Sequence, residues 1–564
     1  MLGNVSPGLF LILGGLILPL LPRRGRMTMT LLAPLLGFAH IWTLPEGVVS
    51  SIEYLGYTLE LVQTDALSRL FGTIFGLMAV VGGLYALPQK NTLESASALV
   101  YAGGAMGVVF AGDLLGVFIY WELMAIASTL IIWSPGTPES RRAGLRYAFI
   151  HLLGGVVLMA GITGQITATG SADFTAMTAD SWATWMILIG FLINAGAPPL
   201  TAWLPDAYPE GSWSGTVFLS AFTTKTAVYV LLRGFPGTEI LVWVGLYMIF
   251  YGIIYALLEN DMRRILAYSI INQVGFMVCG IGIGTEMALN GAASHAFAHI
   301  IYKALLLMSA GSVLYMTGLR KCSDLGGLFR TMPVTAFCGI IGALAISAFP
   351  WTSGFVTKSM ITQGAADEHM LWAWMLLQAA SAGVFLHAGI KFPWFVFFQK
   401  DSGLRPGEAP APMILAMLLF AGLCLFIGVW PDPLYALLPY PVAYESYTGA
   451  HVVTQLQLLL FSGLAFFILL PLMKRTLTIT LDWDWLWRVA GPAVAAFLLR
   501  TVGPVWTGGL SVTRRGIGGL IAITARTHGP HGALGRAWPI NTSAVMVALF
   551  LLLYLILFFV WPAG

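Results

Sequence analysis

Six ionisable side chains fall inside apolar runs, where a bilayer would make them expensive: Glu122, Lys225, His295, His299, Lys303 and Lys358. A charge at the centre of a membrane helix costs about 2.5–3.5 kcal/mol on insertion scales, so each requires a partner or an aqueous cavity. In the segment HAFAHIIYK, His295, His299 and Lys303 recur at i, i+4 and i+8, close to one helical face. Imidazole and a desolvated lysine can both change charge near physiological pH, so such a stripe can pass protons. Glu122 reads either as a switching carboxyl or as an interhelical staple paired with Lys225.

Other chemistries fit poorly. The HxxxH pair could hold zinc, but Ala-Phe-Ala fills the interval where HExxH has its glutamate, and no cysteine lies nearby. GFVTKS at 354–359 lacks the second glycine of a phosphate loop, replaced by Thr357. The GIGIG run at 280–284 lies in an apolar stretch, where small residues permit helix packing. The four cysteines (Cys279, Cys322, Cys338, Cys424) have no CxxC spacing, and no flavin, iron–sulfur or quinone site is legible. No cofactor, no metal and no enzymatic activity are expected of the chain itself.

The elements that must position these residues are membrane helices. Of 564 residues, 58% are hydrophobic and only 9% charged, against about 25% charged in soluble domains. A net charge of +3, scattered along the chain, excludes a nucleic-acid surface. About sixteen spans are predicted, near 6–22, 27–45, 66–87, 94–111, 114–133, 145–168, 182–200, 212–232, 238–258, 264–284, 290–317, 332–363, 370–398, 411–430, 452–473 and 541–562. If the loop with Arg23, Arg24 and Arg26 is cytoplasmic, alternation places Arg141, Arg142, Arg263, Arg264, Lys391, Lys400, Lys474 and Arg475 on that side. Glu46, Glu53, Glu60, Asp173, Asp180 and Glu445 fall in opposite loops. Both termini are then non-cytoplasmic. Segment 482–540 mixes Trp with Arg488, Arg500, Arg514, Arg515, Arg526 and Arg536, and reads as an amphipathic element along the cytoplasmic interface; a further span near 489–508 would leave Arg500 at mid-depth.

Two spans are predicted to be broken, by Pro198, Pro199 and Pro205 in 192–207 and by Pro350, Ser353 and Gly354 in 347–359. Breaks at corresponding places in two halves suggest inverted repeats. The expected organisation is three N-terminal spans (1–93), two five-helix repeats (94–232 and 238–398), peripheral spans (411–473), the interfacial segment (482–540) and a last span (541–564). The expected fold is all-α.

Several segments carry a family likeness: WE at 121–122, PPLTAWLPDAYPE at 198–210, FTTKTAVY at 222–229, DMRRILAYS at 261–269, HAFAHIIYKALLLMSAG at 295–311, GGLFRTMP at 326–333 and GFVTK at 354–358. Together they resemble the antiporter-like membrane subunits shared by respiratory complex I and Mrp-type cation/proton antiporters, over roughly 60–430. AYPE and the Met-rich stretch at 410–435 are closer to the D-type Mrp subunit. The resemblance implies a mid-membrane chain of buried charges. Glu122 would be the acidic member of the first half-channel and Lys225 the bridging lysine. His295, His299 and Lys303 would form the central relay, and Lys358 would be the terminal lysine. Two positions depart from the family: Asn194 stands where it has Lys and Thr201 where it has His. Asn cannot bind and release a proton near neutral pH, so the first half lacks its usual switchable cation. Either Lys225 then pairs directly with Glu122 as an electrostatic latch, or the route is modified.

The implied function is a proton-translocating subunit of a multisubunit monovalent cation (Na+)/H+ antiporter in the bacterial inner membrane, with other membrane subunits as partners. The alternatives are a proton-pumping subunit of a complex I-like or membrane-hydrogenase assembly, a non-conducting scaffold, and a membrane subunit for inorganic-carbon uptake.

Overall fold

A computed structural model describes residues 4–54, 56–471, 482–530, 532, 534–535 and 539–560, divided into two compact units, 1–484 and 485–564. Lys474, Arg475 and Arg536 lie outside the described residues. The first unit opens with α1 (Pro7–Ile17), extended by a 3₁₀ turn, and α2 (Arg23–Ile41). An antiparallel hairpin follows, β1 (Gly47–Tyr54) and β2 (Tyr57–Thr64), with Gly56 at φ +84° in its turn. This corrects the all-α expectation. Its Val, Ile, Thr and Tyr residues suit a strand, and Gly56 adopts the left-handed conformation the reversal needs.

α3 (Ala66–Tyr85) starts at a capping box in which Asp65 accepts from the Ser68 N–H (2.7 Å) and Ser68 Oγ accepts from the Asp65 N–H (2.8 Å). Then come α4 (Thr92–Phe110), α5 (Leu114–Trp133), α6 (Pro138–Thr169), α7 (Trp182–Ala195), α8 (Trp203–Ala207), α9 (Gly215–Ala221) and α10 (Thr223–Gly234). They are followed by α11 (Ile240–Leu258), α12 (Met262–Ile283), α13 (Glu286–Thr317), α14 (Pro333–Ile346), α15 (Ser353–Asp367) and α16 (Leu371–Val384). The last runs into π-helical turns at Phe385–Lys391 and Trp394–Phe398. α17 (Ala411–Val429), α18 (Asp432–Tyr435) and α19 (Gly449–Leu469) are the last α-helices of this unit among the described residues.

One interval recurs. α4 and α11 begin and end 148 residues apart (92 to 240, 110 to 258), as do α6 and α13 (138 to 286, 169 to 317). The same 148 separates the N-caps Asp113 and Asp261, the N-caps Thr137 and Thr285, and the left-handed C-caps Gly170 and Gly318. It also separates the isolated antiparallel bridges Asp113–Asp173 and Asp261–Lys321.

Both expected breaks are present. α7 ends on Gly196 (φ +80°), and the Ile193 carbonyl accepts from both the Gly196 N–H at 3.1 Å and the indole N–H of Trp203 at 2.9 Å, which ties the broken segment back to α7. Between α14 and α15 the chain passes through Ala348 (φ +56°) and Trp351 (φ +68°), conformations costly for residues with a Cβ. There Gly354 allows close approach, since a Cβ on it would overlap the Ala345 carbonyl oxygen. A third irregularity lies at Phe222 between α9 and α10, where no proline or glycine signals it. The Lys225 N–H bonds back to the Phe222 carbonyl at 3.0 Å, three residues earlier.

Among the described residues twelve helices are long and apolar enough to cross a membrane, or thirteen if one bent pair counts as a span. The sixteen predicted spans reduce because Pro7–Leu20 and Trp182–Ala195 are short, Arg23–Ile41 carries three arginines at its start, and 332–363 is two short helices. The core is α12, α13 and the α9–α10 stretch, buried almost end to end.

The second unit, taken alone, comprises a π-turn at Leu486–Ala490, α20 (Gly491–Thr501), α21 (Gly503–His528) and α22 (Ile540–Val560). α20 and α21 meet at a 45° bend beside Pro504, and none of the three α-helices buries a residue.

Candidate proton-transfer site

The stripe on α13 is buried as expected, with His295, His299 and Lys303 all at 0% exposure. His295 is held at both ring nitrogens: Nδ1 lies 3.2 Å from Thr357 Oγ1, and Nε2 lies 3.0 Å from Gln273 Oε1. The Tyr302 hydroxyl donates to that same Gln273 oxygen at 3.2 Å and lies 3.2 Å from His295 Nε2. One turn on, the His299 ring packs 6.3 Å from His295 and 5.1 Å from Tyr302, with neither nitrogen hydrogen-bonded. Lys303 Nζ reaches across to α12, donating to Ser269 Oγ at 2.8 Å.

Lys358 follows Thr357, so α15 places it beside the His295 end. Its Nζ has no hydrogen-bond partner and sits 4.5 Å over the Phe276 ring, a cation–π contact. A cavity of about 330 Å³ reaches it, lined also by Gln378, Ser381, Glu445, His451 and Gln455. On the other flank Lys225 Nζ donates to the Ser220 carbonyl (2.6 Å) and to Thr224 Oγ1 (3.1 Å), which the irregularity at Phe222 makes reachable. Lys225, Lys303 and Lys358 form no ion pair with any carboxylate among the described residues.

Glu122 is placed differently from the pairing considered above. One of its carboxyl oxygens, without a hydrogen-bond partner, packs on Gly155 of α6, where a Cβ would overlap it. There is no Glu122–Lys225 ion pair, so the contact latch is not a feature of this structure. Asn194 instead bonds a residue that no sequence motif singles out: His151 Nδ1 lies 2.7 Å from Asn194 Oδ1. Thr201 is buried, its hydroxyl without a hydrogen-bond partner. Gln273, Tyr302, Thr357 and Ser269 escape a search of the sequence for charges, being polar but uncharged. His387, buried in the π-turn with Nδ1 2.9 Å from the Gly383 carbonyl, escapes it as well. For His151 a signal does exist, because it stands 148 residues before His299 (151 to 299).

Several other motif residues hold the frame. Asp206 of WLPDA takes Arg146 of α6 in a two-pronged pair at 2.7 and 2.9 Å. Asp261 of DMRR caps α12, and Arg263 donates to the carbonyls of Gly211 and Ser212 at 2.8 Å each. Lys391 Nζ lies 3.0 Å from the Ala256 carbonyl, near the C-terminus of α11, and donates to it.

Residues 111–383 match the family model described as NADH:quinone oxidoreductase/Mrp antiporter, TM. The D-type subunit of the Na(+)/H(+) antiporter of Alkalihalophilus pseudofirmus is 28% identical over 396 residues, covering 65% of this chain and 80% of the relative. An uncharacterized protein of Mycobacterium tuberculosis is 30% identical over 475 residues, covering 75% of this chain and 72% of the relative. In fold, the chain is similar to the Mrp complex from Dietzia sp. DQ12-45-1b, with a TM-score of 0.76 at 23% identity over 92% of this chain; it spans 63% of that chain's length. The protein is thus a multi-pass membrane protein that belongs to the antiporter-like membrane subunits shared by Mrp antiporters and NADH:quinone oxidoreductase.

Proposed function

We propose that the chain is a proton-translocating subunit of a multisubunit monovalent cation/proton antiporter, Na+ being the cation in the name of the Alkalihalophilus relative. The observation that carries the reading is the buried row of Lys225, Lys303 and Lys358 around two imidazoles, with no carboxylate in contact with any of the three ammonium groups among the described residues. In low dielectric each added proton is opposed by those already present, so protonation of one group favours release from the next. Lys358 exchanges with water through its cavity. The helices at the 148-residue interval are read as two inverted repeats, 94–232 and 238–398. Both termini are placed on the non-cytoplasmic side of a bacterial inner membrane, and 482–540 along the cytoplasmic face against a neighbouring membrane subunit.

Lys303→Ala tests the reading. In everted vesicles containing the assembled complex, cation-dependent pH change should be lost, and parental activity would refute it. A second reading, a pumping subunit of a redox-driven assembly, is favoured by the family description, which includes NADH:quinone oxidoreductase. Proton movement that requires an electron donor and ignores Na+ would select it.

A further inference from the structure

The first half holds a buried imidazole for which the relay above has no use. His151 is 2% exposed, on α6, and packs its ring 4.0 Å from Tyr147 and 4.8 Å from Trp203. Nδ1 is taken by Asn194 Oδ1 at 2.7 Å, and Nε2 has no hydrogen-bond partner. An amide oxygen only accepts, so with Oδ1 facing the ring Nδ1 carries the hydrogen and Nε2 presents its lone pair. A buried nitrogen ready to take a proton is expensive to leave unused.

Position supplies the second argument. At the 148-residue interval fixed by the caps of α6 and α13, Tyr147, His151 and Gly155 correspond to His295, His299 and Lys303. His151 therefore occupies the place of the central imidazole of the α13 stripe. Hydroxyls stand nearby: the Tyr147 hydroxyl lies 2.8 Å from Ser128 Oγ, and Thr223, two residues before Lys225, bonds Tyr101 at 2.6 Å. The charged groups on the elements around His151 are few. Glu122 of α5 is one turn away on Gly155, Asp206 of α8 is tied to Arg146, and Glu210 beyond α8 is tied to Arg320.

We infer that His151 is a proton-carrying residue of the first half, with Asn194 fixing the tautomer that leaves Nε2 open. The proton arrives on Nε2, giving an imidazolium that donates from both nitrogens, and departs from Nε2 towards Lys225. Asn194 moves no proton; it is a positioning residue. This assignment rests on the relay reading above and extends it into the half that lacks a lysine at 194.

His151→Gln keeps an N–H for Asn194 and removes the titration. In assembled complex it should slow cation-dependent proton movement at least about tenfold. Asn194→Asp places a carboxylate against the ring, favours imidazolium, and should move the pH profile of activity to more alkaline values, a change that a packing role would not produce. Should His151→Gln fail to assemble, the Asn194→Asp profile decides alone. An assembled His151→Gln variant with more than half the parental rate overturns the assignment, as does an unshifted Asn194→Asp profile. Lys303→Ala measured beside them separates the two claims. If it is inactive while His151→Gln is active, only the His151 assignment fails; if both are active, the relay fails with it.

Discussion

Two stretches of the molecule, α4–α10 and α11–α16, carry different polar chemistry on helices that share the 148-residue interval. In the second, α13 projects His295, His299 and Lys303 into the core, and Lys303 spans to Ser269 on α12. In the first, the matching face of α6 carries Tyr147, His151 and Gly155, and the space over Gly155 is filled from α5 by Glu122. A lysine reaching from the long helix is replaced by a carboxylate reaching towards it. With Asn194 a neutral acceptor, the first stretch brings His151, Glu122 and Lys225 where the second brings His295, His299, His387, Lys303 and Lys358. The sign of the buried charge thus differs between α6 and α13 although the two helices share length and caps.

The largest effect that would sharpen this contrast is at Lys358. It joins the His295 end of the stripe to a polar cavity, so Lys358→Ala should lower proton movement at least about tenfold in assembled complex. A rate within twofold of the parent would mean that the cavity is not where the second half exchanges protons.

Next in size is the packing of Glu122 on Gly155. Gly155→Ala introduces a methyl where the carboxyl oxygen lies, and overpacking of this kind costs about 1–3 kcal/mol. Melting of the purified complex should fall, and Gly155→Ala with Glu122→Ala should recover part of the loss. A single variant as stable as the parent would remove the direct contact on which the comparison depends.

The frame is the legible part. Apolar runs, proline breaks and the stripe at i, i+4 and i+8 can all be read locally because each is set by helix periodicity or by a missing N–H. Partnership is not legible. Glu122 and Lys225 invite pairing in a sequence because opposite charges in apolar runs need compensation, yet the distance between α5 and α10 is fixed by packing that no local pattern encodes. His151 hides for the converse reason: a single histidine among Gly and Leu looks like ordinary core until α6 is set against α13. In the hairpin at 47–64, glutamates interrupt the β-branched residues and give the segment the look of a loop, and the π-turns that bury His387 leave no mark in composition.

The smallest expected effect lies at the paired caps. Burial pushes the carboxyls of both Asp113 and Asp261 up, but Asp113 Oδ2 has no hydrogen-bond partner whereas Asp261 Oδ2 meets Arg320 at 2.9 Å. A raised carboxyl makes the folded state bind its proton more tightly than the unfolded one. Its contribution to stability is therefore fully present below the unfolded value of about 4 and declines as pH rises through the folded value. Asp113→Asn keeps the cap and removes that decline, so its melting temperature relative to the parent should rise from pH 4 to pH 7. Asp261→Asn should follow the same pH trend from a lower melting temperature, because it takes a charged acceptor from Arg320. Equal behaviour of the two variants would erase the distinction at this end of the halves.

The central claim is that buried lysines of the second half change charge during transport, and Lys303→Arg addresses it most directly. Arginine retains the positive charge and can reach across to Ser269, but it does not give up its proton in a protein. Cation-dependent pH change in everted vesicles, measured on fully assembled complex, should be lost with Lys303→Arg as completely as with Lys303→Ala. Parental rates with arginine at 303 would show that a fixed charge suffices there, and the switching account would be contradicted.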